Sequence, residues 1–231
     1  MSLKGNAILW SEMTPPPGGE DAFNDWYDRH HTPNHVSGVD GFISAMRYKA
    51  NHGPHYLAVY ELDAVEVLAT EAYRSRKYTP DEPMRAMLSK VTGFTRYVAR
   101  ETRSFRGSGG GEPLDAAFVA GIFHAVPEDR TAAFDAWQEQ EHIPRLLDSR
   151  DWRMVRRLRT TDTNPWPFTH LAVCYLADAR ALDDAARPSG GGWESRLAAE
   201  PWFQPHTVVY RRRNDRFTKE SCAWFGRERA G

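Results

Sequence analysis

The sequence has little of what marks the common functional classes. Its 231 residues include two cysteines, Cys174 and Cys222, which excludes a disulfide-rich scaffold and a zinc site of four cysteines. No apolar run reaches the length of about 18 residues that a membrane-spanning helix needs, and the N-terminus lacks a signal-peptide core. We therefore expect a cytoplasmic protein without a membrane partner. The 30 basic and 31 acidic residues nearly cancel, so we expect no nucleic-acid partner.

Motifs for nucleotide cofactors and for a serine nucleophile are also missing. No glycine-rich phosphate loop or Gly-x-Gly-x-x-Gly turn opens a helix, and the Gly-x-Ser-x-Gly motif does not occur. Aromatic residues, in contrast, make up 12% of the chain and include eight tryptophans. Such rings line cores or pockets for organic ligands, so we expect a small-molecule substrate as the partner.

The chain repeats itself at an offset of 111 residues. Ala22–Trp26 matches Ala133–Trp137, and the His-x-Pro triplet at 31–33 recurs at 142–144. Four glycines in the ten residues of 104–113 are typical of a flexible linker. The sequence therefore predicts a first unit at 1–103, a linker at 104–113, a second unit at 114–212 and a basic C-terminal tail at 213–231.

Each copy has the pattern of strand, helix, strand, strand, helix and strand. In the first copy these are 6–13, 20–31, 42–49, 56–62, 64–88 and 95–103, and in the second 118–126, 130–142, 153–159, 170–176, 179–200 and 207–212. The order βαββαβ is that of a ferredoxin-like unit. Two such sheets bury their bare faces by packing together, so we predict an α+β fold of two tandem ferredoxin-like units forming an intramolecular α+β barrel. Because this pairing is internal, the protein could be a monomer or a homodimer.

The first predicted helix carries the most distinctive motif. Asp25-Trp26-Tyr27-Asp28-Arg29-His30-His31-Thr32-Pro33-Asn34-His35 is followed by Gly41-Phe42 and Arg47-Tyr48. This combination resembles the EthD-like family of the dimeric α+β barrel superfamily, whose members are mostly single units that dimerise. The resemblance implies a cavity between sheet and helices. It also implies one of several chemistries, namely cofactor-free oxygenation, isomerisation, cyclisation, dehalogenation or, in relatives, haem catalysis.

Two adjacent histidines at the end of this helix are the candidates for acid–base catalysis. His30 and His31 titrate near neutrality, and Asp28 beside them could set their pKa values. Arg47, on the following strand, could stabilise an oxyanion, and the hydroxyl of Tyr27 could bind a substrate carbonyl or phenolate. We count all five residues as catalytic candidates. We expect the helix to end near His31, because proline at position 33 disfavours helix before it.

A structural role is the alternative for these histidines. The histidine before X-Pro recurs as His142, which suits a helix cap as well as a catalyst. His31 and His35 are four residues apart, the spacing of a zinc pair on a helix, but Pro33 is expected to break that helix. We therefore predict no metal site.

Five further residues are candidates for substrate binding. The aromatic rings of Trp10 and Trp26 could line a pocket, although packing between helix and sheet would explain them as well. Glu12 and His124 interrupt apolar strands, where a polar residue finds a partner or lines a cavity, and Tyr60 lies near the end of a strand.

The function predicted from these residues is a cofactor-independent enzyme using general acid–base catalysis. Its substrate would be a small apolar or aromatic carbonyl or phenolic compound, converted by isomerase, cyclase or lyase chemistry through an enolate. One alternative is a cofactor-free monooxygenase of a phenol. Another is a haem enzyme using His142, His170 or His206 as axial ligand. The third is a non-catalytic small-molecule-binding or accessory protein.

Overall fold

The computed structural model describes residues 3–185 and 197–224, which form a mixed α+β fold. The chain divides into two compact units. The first comprises Met1–Arg100 with Arg213–Gly231, and the second comprises Glu101–Arg212. None of the described helices is long and apolar enough to cross a membrane.

The first unit contains an antiparallel sheet covered by helices. Its strands lie in the order β2–β3–β1–β4, so that β1 is central and pairs with both β3 and β4. The elements are β1 (Ala7–Thr14), α1 (Glu20–Trp26), α2 (Thr32–Val36), β2 (Phe42–Ala50), β3 (Tyr56–Leu62), α3 (Glu71–Tyr78), α4 (Glu82–Leu88) and β4 (Thr92–Arg106). Every strand expected from the sequence in this unit is confirmed, with small shifts at the ends.

The second unit has the same order of strands in its own sheet, β6–β7–β5–β8. Its elements are β5 (Phe118–His124), α5 (Thr131–Trp137), α6 (Ile143–Leu147), β6 (Trp152–Asn164), β7 (His170–Leu176), α7 (Ala181–Ala185) and β8 (His206–Arg212). Half of the helical region expected at 179–200, namely 186–196, lies outside the described residues. The packing of the two sheets against each other stays a prediction.

The segment expected to be a flexible linker is held by hydrogen bonds. Strand β4 includes its first three residues, 104–106. The backbone N–H of Gly107 then donates to the carbonyl of Arg153, and the Arg153 side chain donates to the carbonyl of Gly110, at 2.9 and 2.5 Å. A glycine is required at 107, because a Cβ there would approach the Trp152 carbonyl oxygen to 2.0 Å. Gly107 therefore permits close contact between two backbone segments.

The basic C-terminal tail, which the sequence predicted as a separate segment, packs on the first unit. Strand β9 (Phe217–Thr218) pairs with β2, and Cys222 is fully buried in the core of the first unit. The Arg213 guanidinium donates to Asp28 at 2.5 Å. Residues 213–224 are thus an integral part of the first unit, and 225–231 lie outside the described residues.

The first helix continues past the position where the sequence predicts its end. A π-helical turn, Tyr27–His31, joins α1 to α2, and the N–H of Thr32 donates to the carbonyl of Tyr27, five residues back. Proline has no N–H and is tolerated in the first turn of a helix. Pro33 occupies that place in α2, so it does not end the helical run. The second unit has the same arrangement, a π-helical turn at Gln138–His142 followed by Pro144 in α6.

This turn also changes which histidine faces the core. With regular helical spacing, Phe23, Trp26, Tyr27 and His30 would form one stripe. The first three are buried as expected, but the wide turn shifts the register by one residue. As a result His30 is exposed, whereas His31 is half-buried and packs against Trp26 and Tyr27.

Candidate active site

A cavity of about 110 Å³ lies within the first unit, between strands β1, β3 and β4 and the helices. Its wall combines apolar side chains with aromatic, imidazole and cationic ones. The lining residues are Leu9, Ser11, Met13, Tyr27, His31, His35, Tyr60, Tyr73, Lys77, Met84, Leu88, Phe94 and Arg96. A cavity of about 150 Å³ is enough to hold benzene, so this smaller one limits a ligand to about one aromatic ring or less.

Alternation along β1 decides which of its residues reach the cavity. Leu9, Ser11 and Met13 line it, and successive side chains on a strand point to opposite faces. Trp10 and Glu12 therefore lie on the other face, where Glu12 accepts a hydrogen bond from the Thr95 hydroxyl. The structure thus places both of these substrate-binding candidates away from the cavity. The strand is buried along nearly its whole length, so its sequence contains no polar alternation to reveal the inward face.

His31 lies on the cavity wall as a neutral base. Its ring packs against Trp26 and Tyr27, at centroid distances of 4.6 and 4.7 Å. Nδ1 is buried and has no hydrogen-bond partner among the described residues. Burial, reinforced by the charges of His35 and Arg47, holds the pKa of His31 well below 6.5. The imidazole is consequently uncharged at neutral pH and can accept a proton.

His35 lies one helical turn further on and is one of the lining residues that were not among the sequence-based candidates. Its ring is 4.6 Å from that of His31 and is 5% exposed. Nδ1 lies 2.8 Å from the backbone carbonyl oxygen of His31, which can only accept a hydrogen bond. Burial lowers the pKa of His35 to about 4, and the nearby Arg76 acts in the same direction. The four-residue spacing of His35 from His31 would place both rings on one helix face. The helix break expected at Pro33 removed that reason to pair them.

Tyrosine hydroxyls complete the polar part of the wall. Burial raises the pKa of Tyr27, and it raises that of Tyr60 well above 10. Both phenols therefore stay protonated and can donate to an oxyanion. The Tyr60 hydroxyl is buried and has no well-directed hydrogen bond within the described part of the chain. The structure thus brings three of the sequence-predicted residues, Tyr27, His31 and Tyr60, to one cavity.

The cations at the cavity were not predicted from the sequence. Arg96, half-buried on β4, pairs in register with Ser11, and Lys77 projects from α3. No aspartate or glutamate lines the cavity among the described residues. Its electrostatic environment therefore favours a ligand with negative charge, or one that acquires negative charge during the reaction.

Arg47 has a different environment from the expected oxyanion clamp. It is fully buried, and it donates to Asp28 at 2.5 Å and to Asn24 at 2.9 Å. Its guanidinium also lies 4.2 Å from the centroid of the Tyr27 ring. Within the described residues Arg47 does not line the cavity. It joins strand β2 to helix α1, and Asp28 is its ion-pair partner.

The second unit repeats this arrangement. Arg157 on β6 donates to Gln138 at 2.9 Å and also contacts Asp135 and Glu139. Asp135 and Glu139 stand 111 residues after Asn24 and Asp28. A contact kept in both units points to a structural role for the two arginines rather than to a role at the cavity.

Two other candidates, Trp26 and His30, do not line this cavity. Exposed His30 and buried Trp26 border a space of about 10 Å³ that they share with His31 and Met84. Met84 also borders both the cavity and a more open pocket of about 440 Å³, lined further by Asn34, Ser75, Arg76, Thr79, Pro80 and Asp81. His30 therefore stands outside the cavity wall.

The second unit keeps only part of the site. Leu9 pairs with Tyr60 in the first unit, as Ala120 pairs with Cys174 in the second, so these positions correspond. His142 corresponds to His31, and its ring stacks on Trp137 at 4.4 Å, as His31 packs on Trp26. By the offset of 111, the other counterparts are Gln138 for Tyr27, Leu146 for His35 and Ile122 for Ser11. Packing on tryptophan is thus common to both units, whereas the paired histidines are particular to the first.

His124, the remaining substrate-binding candidate, lies in the second unit. Its ring packs on Phe134 at 4.8 Å and on Phe203 at 6.1 Å. Burial lowers its pKa to about 4. These contacts are those of a histidine within an aromatic cluster.

Two of the three histidines considered as haem ligands, His170 and His206, fit that group poorly. In His170, Nδ1 lies 2.8 Å from the Thr169 hydroxyl and Nε2 contacts the Arg159 guanidinium, so both nitrogens are engaged. His206 is exposed and stacks on Phe168 at 5.6 Å. Among the described residues, no group of three or more histidine, cysteine or acidic side chains is arranged to hold a metal ion.

The fold is similar to that of several solved structures. An anthrone oxidase-like protein superimposes with a TM-score of 0.65 at 12% identity, over 95% of this chain and 96% of that one. A candidate monooxygenase from Lactobacillus acidophilus gives 0.57 at 9% identity, over 93% and 97%. An uncharacterized ferredoxin-fold protein from Listeria monocytogenes, related to antibiotic biosynthesis monooxygenases, gives 0.52 at 10% identity, over 92% and 98%.

Sequence comparison adds no closer assignment. The chain matches no protein-family profile and no curated protein at a significant level. What the comparisons establish is that this chain has a mixed α+β fold like that of monooxygenase-like proteins with ferredoxin-type sheets.

Proposed function

We propose that the first unit is a cofactor-independent enzyme that deprotonates a small phenolic substrate and lets the resulting anion react with dioxygen. The observation that carries this proposal is the pair of neutral histidines, half-buried His31 and buried His35, on the wall of a cavity of about 110 Å³. A neutral imidazole can accept a proton in a place where water is scarce. The oxidase and monooxygenase names of the structural neighbours support dioxygen as the second reactant.

The chemistry balances without a bound cofactor. The base removes a proton from the phenol, or from the CH₂ group of its keto form, to give an electron-rich ring anion. Addition of O₂ to a ring carbon forms a C–O bond and a peroxide anion, which takes back the proton held by the base. The resulting hydroperoxide loses its C–H proton and breaks its O–O bond, which releases water and leaves a carbonyl. The net change converts a ring CH₂ and O₂ to C=O and H₂O.

The wall of the cavity suits the anion formed in the first step. Tyr27 and Tyr60 remain protonated and can donate hydrogen bonds to the oxyanion, and Arg96 supplies positive charge. A phenolate beside the imidazole also favours the imidazolium, which offsets its lowered pKa when the substrate is bound. Isomerase, cyclase or lyase chemistry would begin with the same proton removal, and it stays the alternative prediction.

The test is turnover by the full chain of a panel of mono- and dihydroxybenzenes, followed by O₂ uptake and product mass. We expect uptake by the wild type, and at least a 100-fold loss in the double variant His31→Gln with His35→Leu. His142→Gln, at the equivalent position of the second unit, is the matched control and should retain activity. Product formation without O₂ uptake would support the isomerase alternative instead, and equal loss in both variants would contradict a site in the first unit.

We also propose that the two units are tandem ferredoxin-like units produced by duplication, with an EthD-like motif in the first. The support is the shared strand order, the repeated π-helical turn and the repeated arginine contacts of Arg47 and Arg157. Separate expression of 101–212 would test this, because a unit that arose by duplication of a complete domain should fold alone.

A further inference from the structure

We propose that His35, through its Nε2 atom, is the proton acceptor of this site and that His31 orients the substrate beside it. This assignment rests on the proposed function and divides the work of the histidine pair. The sequence analysis had assigned catalysis to His30 and His31.

The hydrogen bond that His35 makes determines its tautomer. A backbone carbonyl can only accept a hydrogen bond, so the 2.8 Å contact with the carbonyl of His31 requires the proton of His35 to be on Nδ1. In a neutral imidazole the other nitrogen then carries the lone pair. Nε2 makes no hydrogen bond within residues 3–185 and 197–224, so its lone pair is available at the cavity wall.

His31 lacks such a constraint. Neither of its ring nitrogens makes a hydrogen bond within the described residues, so nothing in the structure selects one tautomer. Its ring is instead held by packing between Trp26 and Tyr27, a contact that His142 repeats on Trp137. This ring keeps its place by stacking, and the second unit repeats the stacking without a histidine at the position equivalent to His35. His31 is therefore better suited to shaping the wall than to accepting the proton.

Three aromatic rings pack around the imidazole of His35 and hold its orientation. The rings of Phe42, Tyr60 and Tyr73 lie 5.5, 5.6 and 5.9 Å from its own. The titratable or charged groups facing it are therefore Tyr60 on β3, Tyr73 and Arg76 on α3, and His31 on the preceding turn. No carboxylate among the described neighbours competes for the proton that Nε2 accepts.

Three substitutions of His35 test whether its Nε2 atom is the proton acceptor. His35→Leu copies the residue that the second unit has at Leu146, so the fold should accept it. His35→Asn keeps an N–H that can reach the His31 carbonyl but removes Nε2, whereas His35→Gln offers an amide near the position of Nε2. We expect all three to lose at least 100-fold in kcat and His31→Gln to lose about tenfold or less. Near-normal kcat in His35→Asn with a large loss in His31→Gln would overturn the assignment.

A readout that is independent of turnover guards against failure of the proposed reaction. Nitrogen NMR of histidine-labelled full chain should show His35 as the Nδ1–H tautomer, and added phenol should shift its Nε2 resonance. A Nε2–H tautomer, or a shift confined to His31 on titration with phenol, would contradict the assignment even if no substrate is turned over. A wild type without turnover whose His35 Nε2 still responds to phenol would count against the oxidation and not against this acceptor.

Discussion

Asp28 forms an ion pair with Arg47 in which the arginine is fully buried and the carboxylate is about one-quarter exposed, at a distance of 2.5 Å. The same carboxylate accepts hydrogen bonds from Arg213 and Asn214. One side chain of the helix therefore holds strand β2 and the returning C-terminal segment together. Its contacts account for Asp28 as a structural residue of the first unit.

Removing this carboxylate should destabilise the protein strongly. Asp28→Asn leaves the charge of Arg47 buried with Asn24 as its remaining acceptor, and such a loss costs about 3 kcal/mol. Asp25→Asn is the matched control, since its ion pair with Arg29 is well exposed and contributes under about 1 kcal/mol. Urea unfolding at pH 7 measures both. Equal effects of the two substitutions would contradict the structural role given to Asp28.

Filling the cavity should abolish ligand binding without unfolding the chain. Ser11 lines the cavity, and the second unit has Ile122 at the same position of its central strand, so Ser11→Ile is acceptable to this fold. The added carbons occupy space needed by a ring in a cavity of about 110 Å³. We expect phenol binding, followed by calorimetry, to weaken at least tenfold while the free energy of unfolding changes by about 1 kcal/mol or less.

Ile122→Ser is the reciprocal control for that experiment. It places the same hydroxyl in the second unit and should leave phenol binding as in the wild type. Binding that survives Ser11→Ile and fails in Ile122→Ser would move the ligand site to the second unit.

The fold was largely predictable because the same sequence pattern occurs in both halves of the chain. The repeat at Trp26 and Trp137 aligned two weak patterns, and the strands of both units follow from them. The continuation of the first helix through Pro33 was not predictable from spacing alone, because a π-helical turn changes which N–H groups need partners. Because of this π-helical turn, His31 and His35 line the cavity and His30 is exposed.

The candidate site was predictable in part. Tyr27, His31 and Tyr60, which residue type and position singled out, line the cavity. Trp10 and Glu12, named with them as candidates, lie on the opposite face of β1, a strand that is buried on both sides. Arg96 and Tyr73 reach the cavity through long-range packing, for which their local sequence gives no signal. The repeated pattern of acidic residues before Arg47 and Arg157 did contain information, and it indicates the structural contact that the arginines make.

Both cysteines should be unreactive in the folded protein. Cys174 is fully buried in β7, and burial raises the pKa of its thiol to about 12. Burial also raises the pKa of Cys222. Because the thiolate is the reactive form, Ellman's reagent at pH 8 should label neither residue within minutes and both after unfolding in guanidinium. Rapid native labelling of Cys222 would show that the segment 213–224 detaches from the first unit.

The stability of the protein should fall with pH below about 6.5, partly through His35. The pKa of His35 is about 4 in the folded chain, against 6.5 in its usual range, so between these pH values the unfolded chain binds a proton that the folded chain does not. The free energy of unfolding therefore decreases as pH falls through this window. A lowering of about 2.5 pKa units corresponds to about 3 kcal/mol.

His35→Leu isolates this contribution, because the other buried histidines, such as His124 and His170, are present in both proteins. We expect the difference in unfolding free energy between the variant and the wild type to move in favour of the variant by up to about 3 kcal/mol between pH 7 and pH 4.5. Urea titrations at several pH values give that difference directly. If the free energies of unfolding of the two proteins change equally between pH 7 and pH 4.5, His35 is charged in the folded protein at acidic pH. The neutral imidazole that the proposed proton acceptor requires would then be absent at acidic pH.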